Sequence, residues 1–201
     1  MFITFEGIDG SGKTTQIELL KKRLLEEGHK VSVFREPGGT DISEQIREIL
    51  LDAKQDINPV TELLLFSAAR SQLVAEKVIP LQKSGTVVIL DRFYDSTTAY
   101  QGYGRKSVSI KHIREINKIA SHQNEPDLTF YMKISLEEAQ KRTRDKEKDR
   151  MELSGDDFYE NVIRGFDSLA LSEERFVTLD ATAPQQRVHA QIWEQVVDQL
   201  V

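Results

Sequence analysis

Residues 7–14 read Gly-Ile-Asp-Gly-Ser-Gly-Lys-Thr, a complete G-x-x-x-x-G-K-[ST]. They follow the β-prone run Phe2–Glu6 and precede helical apolar spacing (Ile17, Leu20, Leu24) over Lys13–Glu27, which Gly28 stops. A strand, a glycine-rich turn and a helix in that order place the turn at the carboxyl end of a strand in an open α/β sheet. Glycines let backbone N–H groups turn inward around phosphate, and the helix N-terminus adds its positive dipole end. In such loops the lysine reaches the β- and γ-phosphates of a nucleotide and the following hydroxyl meets Mg²⁺. With glycine near 7% of residues, chance supplies the pattern in only about one chain of this length in a hundred.

The rest of the chain repeats the alternation. Strands are expected at Lys30–Phe34, Thr86–Leu90, Leu128–Ile134 and Phe176–Leu179. Helices are expected from Asp41, with Glu44 as its capping-box partner, to about Leu51, and from Asn58-Pro59 to about Lys77. Others cover Ile110–Ser121, a stretch opened by Ser135 with Glu138, Phe158–Leu171 and Gln185–Leu200. The expected fold is α/β: a P-loop three-layer sandwich whose parallel five-stranded sheet carries helices on both faces, formed as one domain over residues 1–201. Function should lie in the loops after Glu6, Phe34, Leu90, Lys133 and Leu179.

Composition narrows the classes. The net charge of −6 argues against a partner that is polymeric nucleic acid, and the absence of cysteine excludes disulfide, zinc-finger, iron–sulfur and thiol chemistry. No apolar run spans a bilayer and the first residues carry no basic leader, so no membrane association is expected and the expected compartment is the cytoplasm. A GTPase should carry an N-K-x-D base reader. Asn117-Lys118-Ile119-Ala120 lacks the Asp and reads as a solvated helix face. Asp91 ends a hydrophobic strand and fits the acidic partner of a phosphate loop, a metal ligand beside Thr14. Arg70 sits in an otherwise buried helix and Arg92 follows Asp91; a buried Arg needs an anion, and a second phosphate would satisfy it. The segment from Lys141 to Arg150 alternates basic and acidic residues and reads either as an ion-paired helix end or as a lid at about 142–157. Transfer from one nucleotide to another, or ATP-gated binding without transfer, remain open on these grounds.

Beside Phe5-Glu6-Gly7 entering the loop, two stretches are more specific: Arg35-Glu36-Pro37-Gly38-Gly39-Thr40, and Asp91-Arg92-Phe93 followed by Ser96, Thr97, Ala99, Tyr100 and Gln101. Together they resemble the thymidylate kinase family, from Phe2 to the loop Asp180-Ala181-Thr182. The resemblance implies ATP-dependent phosphorylation of dTMP to dTDP, with Mg²⁺ as cofactor; the alternative is another nucleoside or deoxynucleoside monophosphate kinase. It implies ATP binding by Gly7, Ile8, Asp9, Gly10, Ser11, Gly12, Lys13, Thr14 and Thr15, with Arg142 and Ala181 about the adenine. It implies dTMP binding by Asp9, Arg35, Pro37, Arg47, Phe66, Arg70, Arg92, Ser96, Thr97, Tyr100 and Gln101, with Phe66 stacking on thymine and Arg70 and Gln101 reading its polar edge. Tyr159 would cap that base. Metal would meet Thr14 and Asp91. Catalysis would rest on Lys13, Arg92 and Asp9 with the lid residues Arg144, Lys146 and Arg150, because the loop position that carries an arginine in one branch of the family is Gly10 here. A homodimer through helices such as Val60–Lys77 is also implied.

Overall fold

The structure is a computed structural model that describes residues 1–145 and 149–200. Five parallel strands form one sheet: β1 (Phe2–Glu6), β2 (Val31–Arg35), β3 (Val87–Asp91), β4 (Leu128–Lys133) and β5 (Phe176–Asp180), in the spatial order β2-β3-β1-β4-β5. The register pairs Ile3 with Ile89 and Phe5 with Phe130, so Ile3, Phe5, Ile89 and Phe130 share one face. That face packs on α1 (Lys13–Glu26) and on a helix at Gln185–Val197, through Leu20, Leu24, Val188 and Ile192. The opposite face carries Phe2, Val88 and Leu90, covered by Leu73, Val74, Val78 and Phe93. The expected sheet and its helical layers are therefore present.

Local signals explain most element ends. Helix α2 (Asp41–Leu51) is capped by Thr40, whose extended backbone lets its hydroxyl accept from Ser43 N. The cap is thus one residue earlier than expected from Asp41, and Glu44 turns away to accept from Gly39 N and to pair with Arg35. Asn58 caps α3 (Pro59–Leu73) by accepting from Val60 N, with Pro59 at the first helical position. The helical path does not stop near Lys77. It passes through a π-helical stretch at Val74–Val78 into α4 (Ile79–Lys83), and that wider turn accommodates Pro80.

One element had no sequence signal. After β3 the chain forms a short helix, α5 (Tyr94–Thr97), continued by π-helical turns over Thr98–Gly104. Residues 95–102 are all buried, so no amphipathic stripe exists to be read. Asp95 anchors the start of this stretch through a two-pronged pair with Arg175, at 2.7 and 2.9 Å. Asn117, on α6 (Ile110–Ala120), holds it from the other side by donating to Tyr94 O and to Thr98 Oγ1, both at 3.0 Å. Asn117 is therefore a buried brace, not part of a solvated face. The remaining helices are α7 (Leu136–Thr143), capped by Ser135, α8 (Asp156–Ser172) and α9 (Gln185–Val197). Among the described residues no helix is long and apolar enough to cross a membrane.

Candidate active site

The phosphate loop leaves β1 and enters α1 through Gly12, whose left-handed backbone (φ 88°) no side chain caps. The N–H groups of the first helical turn therefore face the loop. Gly7 (φ 133°) and Gly10 (φ 81°) are required for a second reason, since a Cβ would stand 2.8 Å from Met132 O and 2.9 Å from Ala139 O respectively. Lys13 is buried and donates to the carbonyls of Gly7 and Ile8 at 3.0 and 3.1 Å. Burial, and then the nearby Arg92 cation, hold its ammonium below the usual lysine range. Lys13, Thr14, Thr15, Gly10, Gly12 and Asp9 line a cavity of about 990 Å³ together with Asp91, Arg35, Arg47, Arg92 and Arg142. Arg142 bridges the loop to the segment after β5, with Nη1 3.4 Å from Gly10 O and 3.1 Å from Ala181 O. Of the residues expected around ATP, Asp9, Gly10, Gly12, Lys13, Thr14, Thr15 and Arg142 line this cavity, and Gly7, Ile8, Ser11 and Ala181 do not.

A second cavity, about 600 Å³, adjoins the first. Every residue assigned to the acceptor lines it except Tyr159 and Arg35, the latter lining the phosphate cavity and gripping Glu44 at 3.1 and 2.9 Å. The two cavities share Asp9, Glu36, Arg47 and Arg92 as walls. Arg92 is the hinge between them. Its guanidinium donates to Asp9 Oδ1 at 2.8 Å, Gly7 O at 2.9 Å and Ser96 Oγ at 3.2 Å, and lies 5.0 Å from the Tyr100 ring centre. Its backbone sits at φ 72°, costly for a side chain of this size and sustained because Arg92 N donates to Phe5 O. Glu6 completes the brace by accepting from Phe93 N (2.8 Å) and Ser96 Oγ (2.5 Å). Burial, followed by the Asp95 charge, raises the Glu6 carboxyl to about 8.

Arg70 is 2% exposed, and its anion is a carboxylate, not a phosphate. Glu36 Oε2 accepts from Arg70 Nη2 at 2.6 Å and from Nε at 2.8 Å. Burial raises Glu36 to about 7 even against this cation. The pair corrects the expectation that a second phosphate satisfies Arg70, and leaves it on the cavity wall beside Phe66 and Gln101. Thr97 Oγ1, on the same wall, is buried with no hydrogen-bond partner among the described residues.

With the geometry in place, comparison with known proteins is decisive. The sequence model described as Thymidylate kinase matches residues 5–192. A thymidylate kinase of Prosthecochloris aestuarii is 49% identical, over 98% of this chain and 93% of the relative, and one of a Thermoanaerobacter species is 46% identical, over 95% and 94%. The chain belongs to the thymidylate kinase family. A crystal structure of thymidylate kinase from Ehrlichia chaffeensis superposes with a TM-score of 0.79 at 34% identity, covering 98% of each chain.

Among the expected lid residues, the structure separates the members. Arg144 is exposed beside Asp145, and Lys146 lies outside the described residues. Arg150 is nearly buried and turned away from the phosphate loop, with Nη1 2.6 Å from Glu62 Oε2 and Nε donating to Leu50 O at 2.7 Å. Tyr159 does not line the acceptor cavity. It lines a neighbouring one, edge-on to Tyr100, with ring centres 6.2 Å apart. Residues that sequence reasoning missed are Glu6, Glu36 and Asp149 with Met151 on the acceptor wall; the first two lay inside the quoted motifs, but nothing local marked them as braces.

Proposed function

We propose that this protein transfers the γ-phosphoryl group of ATP to the phosphate of dTMP, giving dTDP and ADP. The observation that carries the reading is the shared wall: the Asp9–Arg92 pair borders both the Lys13 cavity and the cavity that holds Phe66, Arg70 and Gln101. A donor phosphate on the loop and an acceptor phosphate beside Arg92 and Arg47 would then face each other, so that proximity and charge neutralisation do most of the work. The acceptor oxygen is already ionised at neutral pH, and no general base is needed.

Lys13 serves the transferring phosphoryl group, Arg92 and Arg47 the acceptor phosphate, Phe66 the face of the base, and Arg70 and Gln101 its edge. Ser96, Thr97, Tyr100 and Pro37 shape the pocket between them. Arg35, on the phosphate-side wall, completes the cationic rim. Asp91 Oδ1 is buried without a hydrogen-bond partner among the described residues and shares the phosphate cavity with Thr14. This oxygen donor pair suits Mg²⁺, which prefers one or two protein ligands plus phosphates and water. When bound there the ion would offset phosphate charge. The remaining readings are a single domain with the segment about 142–157 as lid, Arg144 its exposed cation, and a cytoplasmic location. A homodimer through α3 is supported by Val60 and Leu64, which are 40% and 52% exposed.

Measuring ADP release with dTMP, UMP, AMP, GMP and thymidine in turn tests the reading. Release stimulated by dTMP above the others is expected; equal stimulation by AMP or GMP would replace thymidylate with another monophosphate, and none at all would leave an ATP-gated binder.

A further inference from the structure

Glu62 lies on α3 outside the acceptor cavity and is completely buried. Gln101 Nε2 and Arg105 Nε donate to its Oε1 at 2.9 and 3.3 Å, and the Arg150 guanidinium forms an ion pair with Oε2, Nη1 standing 2.6 Å away. A carboxylate flanked by two guanidinium groups accepts hydrogen bonds and donates none. Of the two orientations open to the Gln101 amide, it therefore tolerates only the one that turns the NH₂ toward Glu62. The carbonyl edge is then what Gln101, 2% exposed, presents to the cavity it lines.

The neighbourhood keeps this arrangement rigid. Ser107 N and Oγ both donate to Gln101 O, at 3.0 and 2.8 Å, so the backbone of the reader is fixed as well. The Met151 sulfur stands 3.7 Å from Arg105 Nη2 and 3.4 Å from Arg150 Nη2, and Met151 itself lines the acceptor wall. Arg150, expected from the resemblance to serve the phosphates, is here committed to Glu62.

We infer that Glu62 is a positioning residue for base choice: it locks the Gln101 amide with its oxygen toward the base, so that the pocket accepts the N3–H of thymine and refuses cytosine, whose N3 has no hydrogen. The inference rests on the thymidylate reading above. A flipped amide would offer N–H to the same spot, and the preference between the bases would weaken or reverse.

The test compares kcat/KM for dTMP and dCMP in the unmodified protein, in Glu62→Gln and in Glu62→Asp. Glu62→Gln carries an amide that can donate as well as accept, and it should shrink the dTMP-to-dCMP ratio roughly tenfold or more, chiefly through KM. Glu62→Asp keeps an acceptor and should retain most of the preference. A folded Glu62→Gln protein that slows on both substrates in parallel, or keeps its ratio, would overturn the inference. Equal use of dCMP by the unmodified protein would overturn the base reading itself, before any variant is made. Should Glu62→Gln not fold, the side-chain amide signal of Gln101, assigned with Gln101→Ala, decides. Slow exchange of the Gln101 NH₂ protons is expected, and solvent-rate exchange would sink the proposal.

Discussion

The phosphate loop and the acceptor cavity meet at Asp9 and Arg92, and they are built by different means. The loop occupies residues 7–14 and offers backbone N–H groups and one lysine, held by glycine conformations that local sequence dictates. The acceptor cavity draws its walls from the loop after β2, from α2, α3 and α5, and from the chain before α8. It is held by buried polar braces: the ion pairs of Glu36 with Arg70 and Glu62 with Arg150, and the hydrogen bonds of Gln101 to Glu62 and of Ser96, beside Arg92, to Glu6. Burying a carboxylate is expensive, which the elevated Glu6 and Glu36 protonation ranges record. Binding a phosphate needs only repeated N–H donors, whereas recognising one base needs donors and acceptors with fixed directions. The second demand is met by orienting side chains against one another.

If the braces hold the acceptor side, breaking one should cost the whole fold. Glu36→Ala leaves the Arg70 guanidinium buried and uncompensated, an expected loss of about 3–5 kcal/mol and a fall in Tm on the order of 10 °C. An unchanged melting temperature would show that the pair carries no structural weight. The loop should behave in the opposite way. Lys13→Ala should nearly abolish phosphoryl transfer, by about 2.7–4 kcal/mol or more, with little effect on Tm. Near-normal turnover in that variant would remove the loop from the chemistry.

A finer separation concerns the base. Arg70 can only donate and Gln101 accepts, so dCMP should be strongly refused, while dUMP, lacking just a methyl group, should lose only about 1–3 kcal/mol in kcat/KM. Competition kinetics with the two analogues would break the comparison if dUMP were refused as firmly as dCMP. A separate test is a pH slope. Because folding raises the Glu6 carboxyl from its ordinary 4.5 to about 8, its favourable contribution is complete below pH 4.5 and is lost as pH rises toward and through 8. Glu6→Gln has no proton to lose, so melting curves at pH 5, 7 and 9 should show the unmodified protein losing ground to the variant as pH rises. Parallel curves would mean that Glu6 titrates normally.

Sequence alone determined the parts whose physics is local. Eight consecutive residues define the phosphate loop, since glycine geometry and a helix start require no distant partner. The apolar run 87–90 announces a central strand because both faces of a parallel sheet are covered. Caps at Asn58 and Ser135 were legible for the same reason. Resemblance then carried the acceptor residues, and the structure brings all but Arg35 and Tyr159 to one cavity. What only tertiary structure decided is the pairing. That Arg70 meets Glu36, that Arg150 turns to Glu62 instead of the phosphates, and that Asn117 braces a buried helix all join residues 19 to 88 positions apart in the chain. The helix at Tyr94–Thr97 and its π-helical extension escaped for a related reason: every side is packed, so no hydrophobic period survives in its sequence. A charge written in a sequence states a need for a partner, and only the folded chain selects which one.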